Sequence, residues 1–192
     1  MSAGEDQIQL PLRLAVTGTP GSGKTSLAEE LSACMEVLQL SQIAEEKGQL
    51  TGPAESREMD VDELSKVLSE EWSQLAVRTT LLDGHLSHLM PIDAIIVLRA
   101  HPMVIEERLR RRDYSERKVR DNVESEMLGG PWHEMSALEV PILELDSGCM
   151  SSTELSTEVL AWLAAGCLPK RPVEVLDWLD DIANGAGHQP QG

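Results

Sequence analysis

Phenylalanine is absent from this chain of 192 residues, which has a single tyrosine and four tryptophans. A core must therefore be aliphatic, assembled from Leu, Val, Ile, Met and Ala. No stretch approaches the roughly 18 to 20 consecutive apolar residues that a membrane span needs, so no membrane association is expected. The opening MSAGEDQIQL has neither a basic segment nor a long apolar run, so a signal peptide is not expected either. Cysteine is sparse: Cys34, Cys149 and Cys167 are odd in number, far apart and form no CxxC pair. That pattern excludes a disulfide framework and fits free, mostly buried thiols in a reducing cytoplasm. Positive charge is scarce too. The formal net charge is −17, and a general nucleic-acid binder would need a basic face, so none is expected. The exception is local, because Arg108, Arg110, Arg111, Arg112, Arg117, Lys118 and Arg120 crowd into one stretch. A chain this acidic that gathers its positive charge in one place calls for an anionic ligand there.

The length suits one domain with a sizeable core, and apolar residues make up 41% of the chain, enough to fold. Short apolar runs read as buried parallel strands at Leu10–Thr17, Glu36–Leu40, Thr79–Asp83, Asp93–Arg99 and Pro141–Leu145. Between them lie helical patterns. One spans Gly23–Met35. A second starts at Asp60, whose spacing to Glu63 is that of a capping box, and places Val61, Leu64, Leu68, Trp72 and Leu75 on one face. A third runs from Pro102 to about Arg112, and a fourth, capped by Ser115, carries Val119, Val123 and Met127. Ser151 and Glu154 form another capping box before Leu155, Val159, Trp162 and Leu163, and Pro172 opens a final helix to about Ile182. Ser41–Met59 is polar and reads as a mobile insert with a turn of helix near Ile43; residues 184–192 read as a disordered tail. Strands alternating with helices imply an α/β fold, a parallel sheet covered on both faces.

One segment carries strong chemistry. Gly18-Thr19-Pro20-Gly21-Ser22-Gly23-Lys24-Thr25 matches GxxxxGK[ST] in full, between a strand and a helix. The glycines let successive N–H groups point at phosphate oxygens, and the helix N-terminus behind them adds partial positive charge. Lys24 can reach the β- and γ-phosphates, and the Thr25 hydroxyl can bind Mg²⁺. With Ser26, these residues form the expected ATP site. Asp83 ends a strand just before Gly84-His85, where a P-loop sheet delivers an acid beside the metal. His85 suits a polar role near the γ-phosphate. His88, His101 and His133 read as structural. Zinc is not expected, because His85 and His88 have no third ligand nearby. Arg108 and Arg112 lie four apart on one helix face, as a lid needs if it carries arginines over a phosphoryl group. A monophosphate acceptor needs a cation in the 41–59 insert, which offers only Lys47 and Arg57.

The residues GTPGSGKT at 18–25, DGHLSHL at 83–89, IIVLRAHP at 95–102 and ERLRRRDYSERKVRDNVESE at 107–126 resemble the archaeal-type adenylate kinase family. Its eukaryotic members include a nuclear adenylate kinase and ATPase linked to maturation of the small ribosomal subunit. The resemblance implies a P-loop NTPase fold with a five-stranded parallel sheet and helices on both faces. It implies a single kinase domain over residues 1–183, with a short NMP-binding insert at about 41–68 and a short lid at about 110–118. It implies transfer of the γ-phosphate of MgATP to AMP with some ATPase activity, Asp83 and His85 being metal-site and ATPase residues, and Arg108 and Arg112 lid-side arginines. The alternative is an ATP-driven assembly factor that acts on a small-subunit ribosomal protein with little nucleotide-kinase activity. Three positions depart from the family pattern. Asp113 replaces a lid glycine, Glu45 and Glu46 stand where the insert usually has a basic residue, and Gly129-Gly130-Pro131-Trp132 precedes Glu134-Met135.

Overall fold

Uninterrupted apolar runs such as AIIVLR bury both faces of a strand, and here they build one parallel sheet. A computed structural model describes residues 12–52 and 58–183. Its elements are β1 (Arg13–Thr17), α1 (Lys24–Leu31), β2 (Glu36–Gln39), α2 (Leu40–Glu46), a two-stranded antiparallel hairpin of β3 (Leu50–Thr51) and β4 (Glu58–Met59), α3 (Val61–Glu71) and β5 (Thr80–Asp83). A 3-10 turn (Ser87–Leu89) follows, then β6 (Ala94–Arg99), α4 (Pro102–Arg110), α5 (Glu116–Met127), α6 (Gly130–Met135), β7 (Ile142–Asp146), α7 (Ser152–Ala164) and α8 (Trp178–Ala183). The five parallel strands run β2-β5-β1-β6-β7. The chain leaves β1 toward β2 on one side and later crosses to β6 on the other. The resulting crevice lies at the carboxyl ends of β1 and β5, where open α/β sheets place their ligands.

Side chains alternate across the sheet. Leu14, Val16, Leu81, Ile96 and Leu98 meet Leu27, Ala28 and Leu31 of α1 and Leu155, Val159, Trp162 and Leu163 of α7 on one face. Ala15, Ile95 and Val97 meet Met135 and Ile142 on the other. The Ser151–Glu154 capping box starts α7 as expected, and Ser115 caps α5 by accepting from the Lys118 N–H.

Four expectations are corrected. The described part of the Ser41–Met59 segment is not a bare loop but carries most of α2 and the β3–β4 hairpin. Leu40 and Ala44 of α2 are buried against Leu64, Leu68 and Leu82, so two apolar residues four apart suffice to dock a helix. Residues 53–57, including Arg57, lie outside the described residues. Helix α1 stops at Leu31, not Met35, because Glu36 must begin β2. Helix α3 stops at Glu71. The Arg13 guanidinium lies over the Trp72 ring at 5.4 Å and donates to the Gln74 carbonyl at 2.7 Å, so the chain turns away and Leu75 is left 94% exposed. Pro172 opens no helix. The Leu176 N–H is drawn to the Glu144 carboxylate at 2.9 Å, and the helix begins only at Trp178, where the Asp177 carboxylate accepts from the Leu179 and Asp180 N–H groups. The tail from 184 onward also lies outside the described residues. Helix α6, absent from the sequence reading, starts at the Gly129-Gly130-Pro131 run, with Gly129 in the left-handed region and proline in the first turn.

One buried feature is not apolar. Arg99, the last residue of β6, is fully buried. Its Nε donates to Glu126 Oε1 at 2.5 Å, Nη2 to the Glu126 carbonyl at 3.1 Å and Nη1 to Glu144 Oε1 at 3.0 Å. Burial pushes the Glu144 carboxyl above its ordinary value, while the Leu176 N–H and Arg99 pull it back. Removing one partner of such a group strands the others without water. Arg99→Ala is therefore expected to cost about 3–5 kcal/mol, read as a lower urea midpoint at unchanged slope.

Candidate functional site

The loop between β1 and α1 begins against the sheet itself. Gly18 has φ 137°, and a Cβ there would lie 2.1 Å from the Leu98 carbonyl oxygen of β6. Only glycine can make that entry. Gly23 ends the loop as the N-cap of α1, with no side chain capping the first turn. The first N–H groups of α1 are therefore open to an anion. Lys24 folds back on the loop, its Nζ donating to the Gly18 carbonyl at 2.7 Å and to the Thr19 carbonyl at 3.1 Å. Burial lowers its pKa to about 8. The charges of Asp83 and Glu126 oppose that shift, and Arg112 adds to it.

Three cavities surround this loop. The first, about 420 Å³, is lined by Gly21, Gly23, Ser26, Arg108, Arg112 and Ser147, among others. Arg108 is not free in it. Its Nη1 donates to the Gly21 carbonyl at 3.1 Å and to Ser147 Oγ at 3.3 Å, and Nη2 to the Ser147 carbonyl at 2.8 Å. Arg108 therefore ties the loop to the end of β7, while Arg112 is exposed at the cavity edge. Arg111 also lines this cavity but pairs with Glu107 at 2.6 Å. Arg110 pairs with Glu106 and Glu116, and Arg117 lies 3.7 Å from Asp121. Much of the basic stretch thus bonds along its own helices, and the expected concentration of charge on one ligand narrows to Arg108, Arg111 and Arg112.

The second cavity, about 290 Å³, is lined by Lys24, Thr25, Gln39, Asp83, Gly84 and His85, among others. Gly84 is needed for a close approach: a Cβ there would lie 2.8 Å from Leu40 Cβ of α2. Asp83 is buried, and its Oδ2 accepts from Gln39 Nε2 at 3.1 Å. No cluster of three or more His, Cys, Asp or Glu side chains with metal-ligand geometry occurs among the described residues. One hydroxyl and one carboxylate on a shared cavity fit Mg²⁺, a hard cation that takes oxygen ligands and keeps waters or phosphate oxygens for the rest.

The third cavity, about 250 Å³, is lined by Thr17, Gly18, Thr19, Pro20, His85, Asn122, Ser125, Pro131 and Glu134. The Thr17 hydroxyl donates to the His85 carbonyl at 2.6 Å, so it accepts from His88 Nδ1 at 3.1 Å. That arrangement puts the proton on Nδ1 and ties the buried His88 to the end of β1. Its Nε2 lies 3.3 Å from Glu134 Oε2. Desolvation in the cleft, and then the Lys24 ammonium, hold the His85 pKa below the usual histidine value. His101 is also structural, its Nδ1 accepting from the Met103 N–H at the start of α4. Lys47 is held in an ion pair with Glu71.

Sequence reasoning missed Gln39, Asn122, Glu126, Glu134 and Ser147. Gln39 and Ser147 had a usable signal, since each is a polar residue at or just past the carboxyl end of a strand, as Asp83 is. Asn122 and Glu126 lie on α5 among charged neighbours, and nothing local separates them from a solvated face.

A family profile described as an AAA domain matches residues 14–129. A "Putative adenylate kinase" of Thermococcus onnurineus is 38% identical over 170 residues, covering 88% of this chain and 92% of that protein. One of the same name from Pyrococcus abyssi is 39% identical over 167 residues, covering 86% and 90%. Among solved structures, a gluconokinase from Sinorhizobium meliloti aligns with TM-score 0.52 at 17% identity over 94% of this chain and 99% of that one. The YorR protein of Bacillus subtilis, in complex with phosphorylated GDP, aligns with TM-score 0.55 at 15% identity over 79% and 95%. At such identities the structural likeness speaks for the P-loop fold alone.

With its pKa near 8 in the free protein, Lys24 is only partly protonated at pH 8.5. Phosphate oxygens favour the ammonium and raise the pKa again. MgATP binding is therefore expected to take up a fraction of a proton at pH 8.5. At pH 6.5 Lys24 is already charged and contributes none. Calorimetry in buffers of different ionisation enthalpy reads the difference.

Proposed function

The chain belongs to the archaeal-type adenylate kinase family, and from that premise we propose that it transfers the γ-phosphate of MgATP to AMP and hydrolyses ATP slowly without an acceptor. The observation that carries the proposal is that the loop's end and the start of α1 border two cavities: Lys24 and Thr25 line the acid-bearing one with Asp83, and Gly23 and Ser26 line the one that holds Arg108 and Arg112. In-line phosphoryl transfer brings donor and acceptor together from opposite sides of the moving group, and a cation at the meeting point neutralises the charge that spreads over it. In this reading Gly18, Pro20, Gly21, Ser22, Gly23, Lys24, Thr25 and Ser26 hold the ATP phosphates, with Arg112 above them. Arg108 keeps Gly21 in place through its carbonyl. Thr25 and Asp83 hold the magnesium ion, which when bound neutralises the β- and γ-phosphate oxygens. His85, its pKa held below the usual histidine value, is a neutral polar group beside Lys24 and Asp83 in the same cavity. Arg57 holds the AMP phosphate, and Lys47 contributes only when it leaves Glu71.

A second, hydrolytic reading is favoured by the third cavity, whose lining contains His85, Asn122 and Glu134 but neither Arg nor Lys. Such a chamber suits a water better than a phosphate dianion. In that use the chain would be an ATP-driven assembly factor working on a small-subunit ribosomal protein.

ADP formation measured with AMP, CMP, GMP and UMP is expected to be fastest with AMP. No AMP-dependent turnover, together with ATP hydrolysis stimulated by a ribosomal protein, would replace the first reading by the second. Lys24→Ala removes a contact used in the transition state and is expected to lower turnover more than 100-fold, the equivalent of about 3 kcal/mol, with the far-UV spectrum unchanged. For the acceptor, Arg57→Ala is expected to raise the apparent KM for AMP several-fold. Lys47→Ala should leave it near wild type, because Lys47 is already committed to Glu71. An unchanged KM in Arg57→Ala would remove Arg57 from the site.

A further inference from the structure

Glu126 sits in the last turn of α5, fully buried, and divides its two carboxylate oxygens between different tasks. Oε1 accepts from Arg99 Nε, from the Ala100 N–H at 3.4 Å and from Trp178 Nε1 at 3.0 Å. Oε2 accepts a short hydrogen bond from the Thr19 hydroxyl in the phosphate loop. A buried carboxylate is costly, and Arg99 already has a second one in Glu144. Both carboxylates neutralise Arg99, and Glu126 has a task that Glu144 lacks, its bond to Thr19.

Thr19 is the pivot of the loop. Its side chain is gripped by Glu126, and its carbonyl accepts from Lys24 Nζ and from the Ser22 N–H at 3.0 Å. The rest of Glu126's surroundings comes from far along the chain. Trp178 is buried, meets the His101 ring edge-on at a centroid distance of 5.6 Å and lies 5.8 Å from the Arg99 guanidinium carbon. The segment that carries it has no packed helix before Trp178 and is anchored by Leu176 on Glu144. Helix α5 itself runs without interruption from Glu116, at the end of the arginine-rich turn, to the turn that holds Glu126, a rise of roughly 15 Å.

We propose that Glu126 is a positioning residue that sets the phosphate loop through Thr19, and that the C-terminal segment acts on the loop through Trp178. The proposal rests on reading this loop as the nucleotide phosphate site. A charge-assisted hydrogen bond fixes direction as well as distance, so its loss frees Thr19 to rotate and takes the loop carbonyls and N–H groups out of register with the transferred group. Ground-state affinity depends on many loop contacts and changes less.

The test uses the full chain. Thr19→Val keeps the shape and removes only the hydroxyl donor; Glu126→Gln keeps the shape and removes the charge. Each is expected to lower the kcat of MgATP turnover about tenfold while the KM for ATP stays within about twofold. Thr19→Ser, which keeps the donor, restores kcat. The double variant should be no slower than the worse single one, because both changes break one link. A second readout does not depend on turnover. In protein labelled with 5-fluorotryptophan, the fluorine resonance that disappears in Trp178→Phe is expected to shift on addition of MgATP in the wild type and to stay still in Thr19→Val. Displacement of a fluorescent ATP analogue measures nucleotide binding separately in each protein, and folding of Glu126→Gln is checked by its thermal transition. If Glu126→Gln does not fold, Thr19→Val and the Trp178 resonance decide alone. MgATP binding without a Trp178 shift, a shift that survives in Thr19→Val, or additive effects in the double variant would overturn the proposal. Failure of the wild type to bind MgATP in the displacement titration would overturn the nucleotide reading itself, and the proposal with it.

Discussion

A guanidinium sealed from water at the carboxyl end of β6 has to be neutralised by the protein itself, and much of the architecture around the phosphate loop meets that demand. Arg99 draws Glu126 from α5 and Glu144 from β7. Glu144 in turn draws the Leu176 N–H, which holds the C-terminal segment across the sheet. Trp178 closes the arrangement from above. An apolar residue at position 99 would have given a drier and simpler core, because buried ion pairs are seldom a gain over packed hydrocarbon. What the charged arrangement supplies is direction: β6, α5, β7 and the C-terminal segment are held in one register by bonds that tolerate little displacement.

That register matters because a P-loop works by the aim of its backbone. Gly18 must pass so close to the Leu98 carbonyl that no side chain fits, and Leu98 immediately precedes Arg99. The loop is thus fixed at its entry by β6, at Thr19 by Glu126, at Gly21 by Arg108 and at its exit by the start of α1. Lys24 then lies across the loop's own carbonyls, partly stripped of water. An ammonium group so placed is held by weak acceptors and gains more from phosphate oxygens than a fully hydrated one would.

The sheet, most helices and the phosphate loop were legible in the sequence because each rests on local pattern. AIIVLR is a buried strand whatever its neighbours, Ser151 and Glu154 form a capping box three residues apart, and GTPGSGKT carries its own geometry. The errors came where distant contacts override local preference. Leu75 fits a helical stripe, but Arg13 from β1 ends the helix first. Val173 and Glu174 follow a proline that suits a helix start, but Glu144 claims the Leu176 N–H. Glu126 reads as one more acid on a charged helix, and only the fold reveals its partners, 27 residues away at Arg99, 52 at Trp178 and 107 at Thr19.

Asp113 joins the local and the distant arguments. Its φ of 55° lies in the left-handed region that favours glycine. Aspartate bears that conformation better than most side chains, at a cost on the order of 1 kcal/mol. The turn it makes, between α4 and α5, joins the helix that carries Arg108 to the helix that carries Glu126. Both residues grip the phosphate loop, one at Gly21 and the other at Thr19. A more flexible residue at the turn would let the two helices settle independently. A strained, stiff one keeps the spacing between the two grips, and with it the shape of the loop they hold. The added negative charge is exposed and sits among Arg110, Arg111 and Arg112, where solvent screening leaves it a small effect beside the backbone constraint.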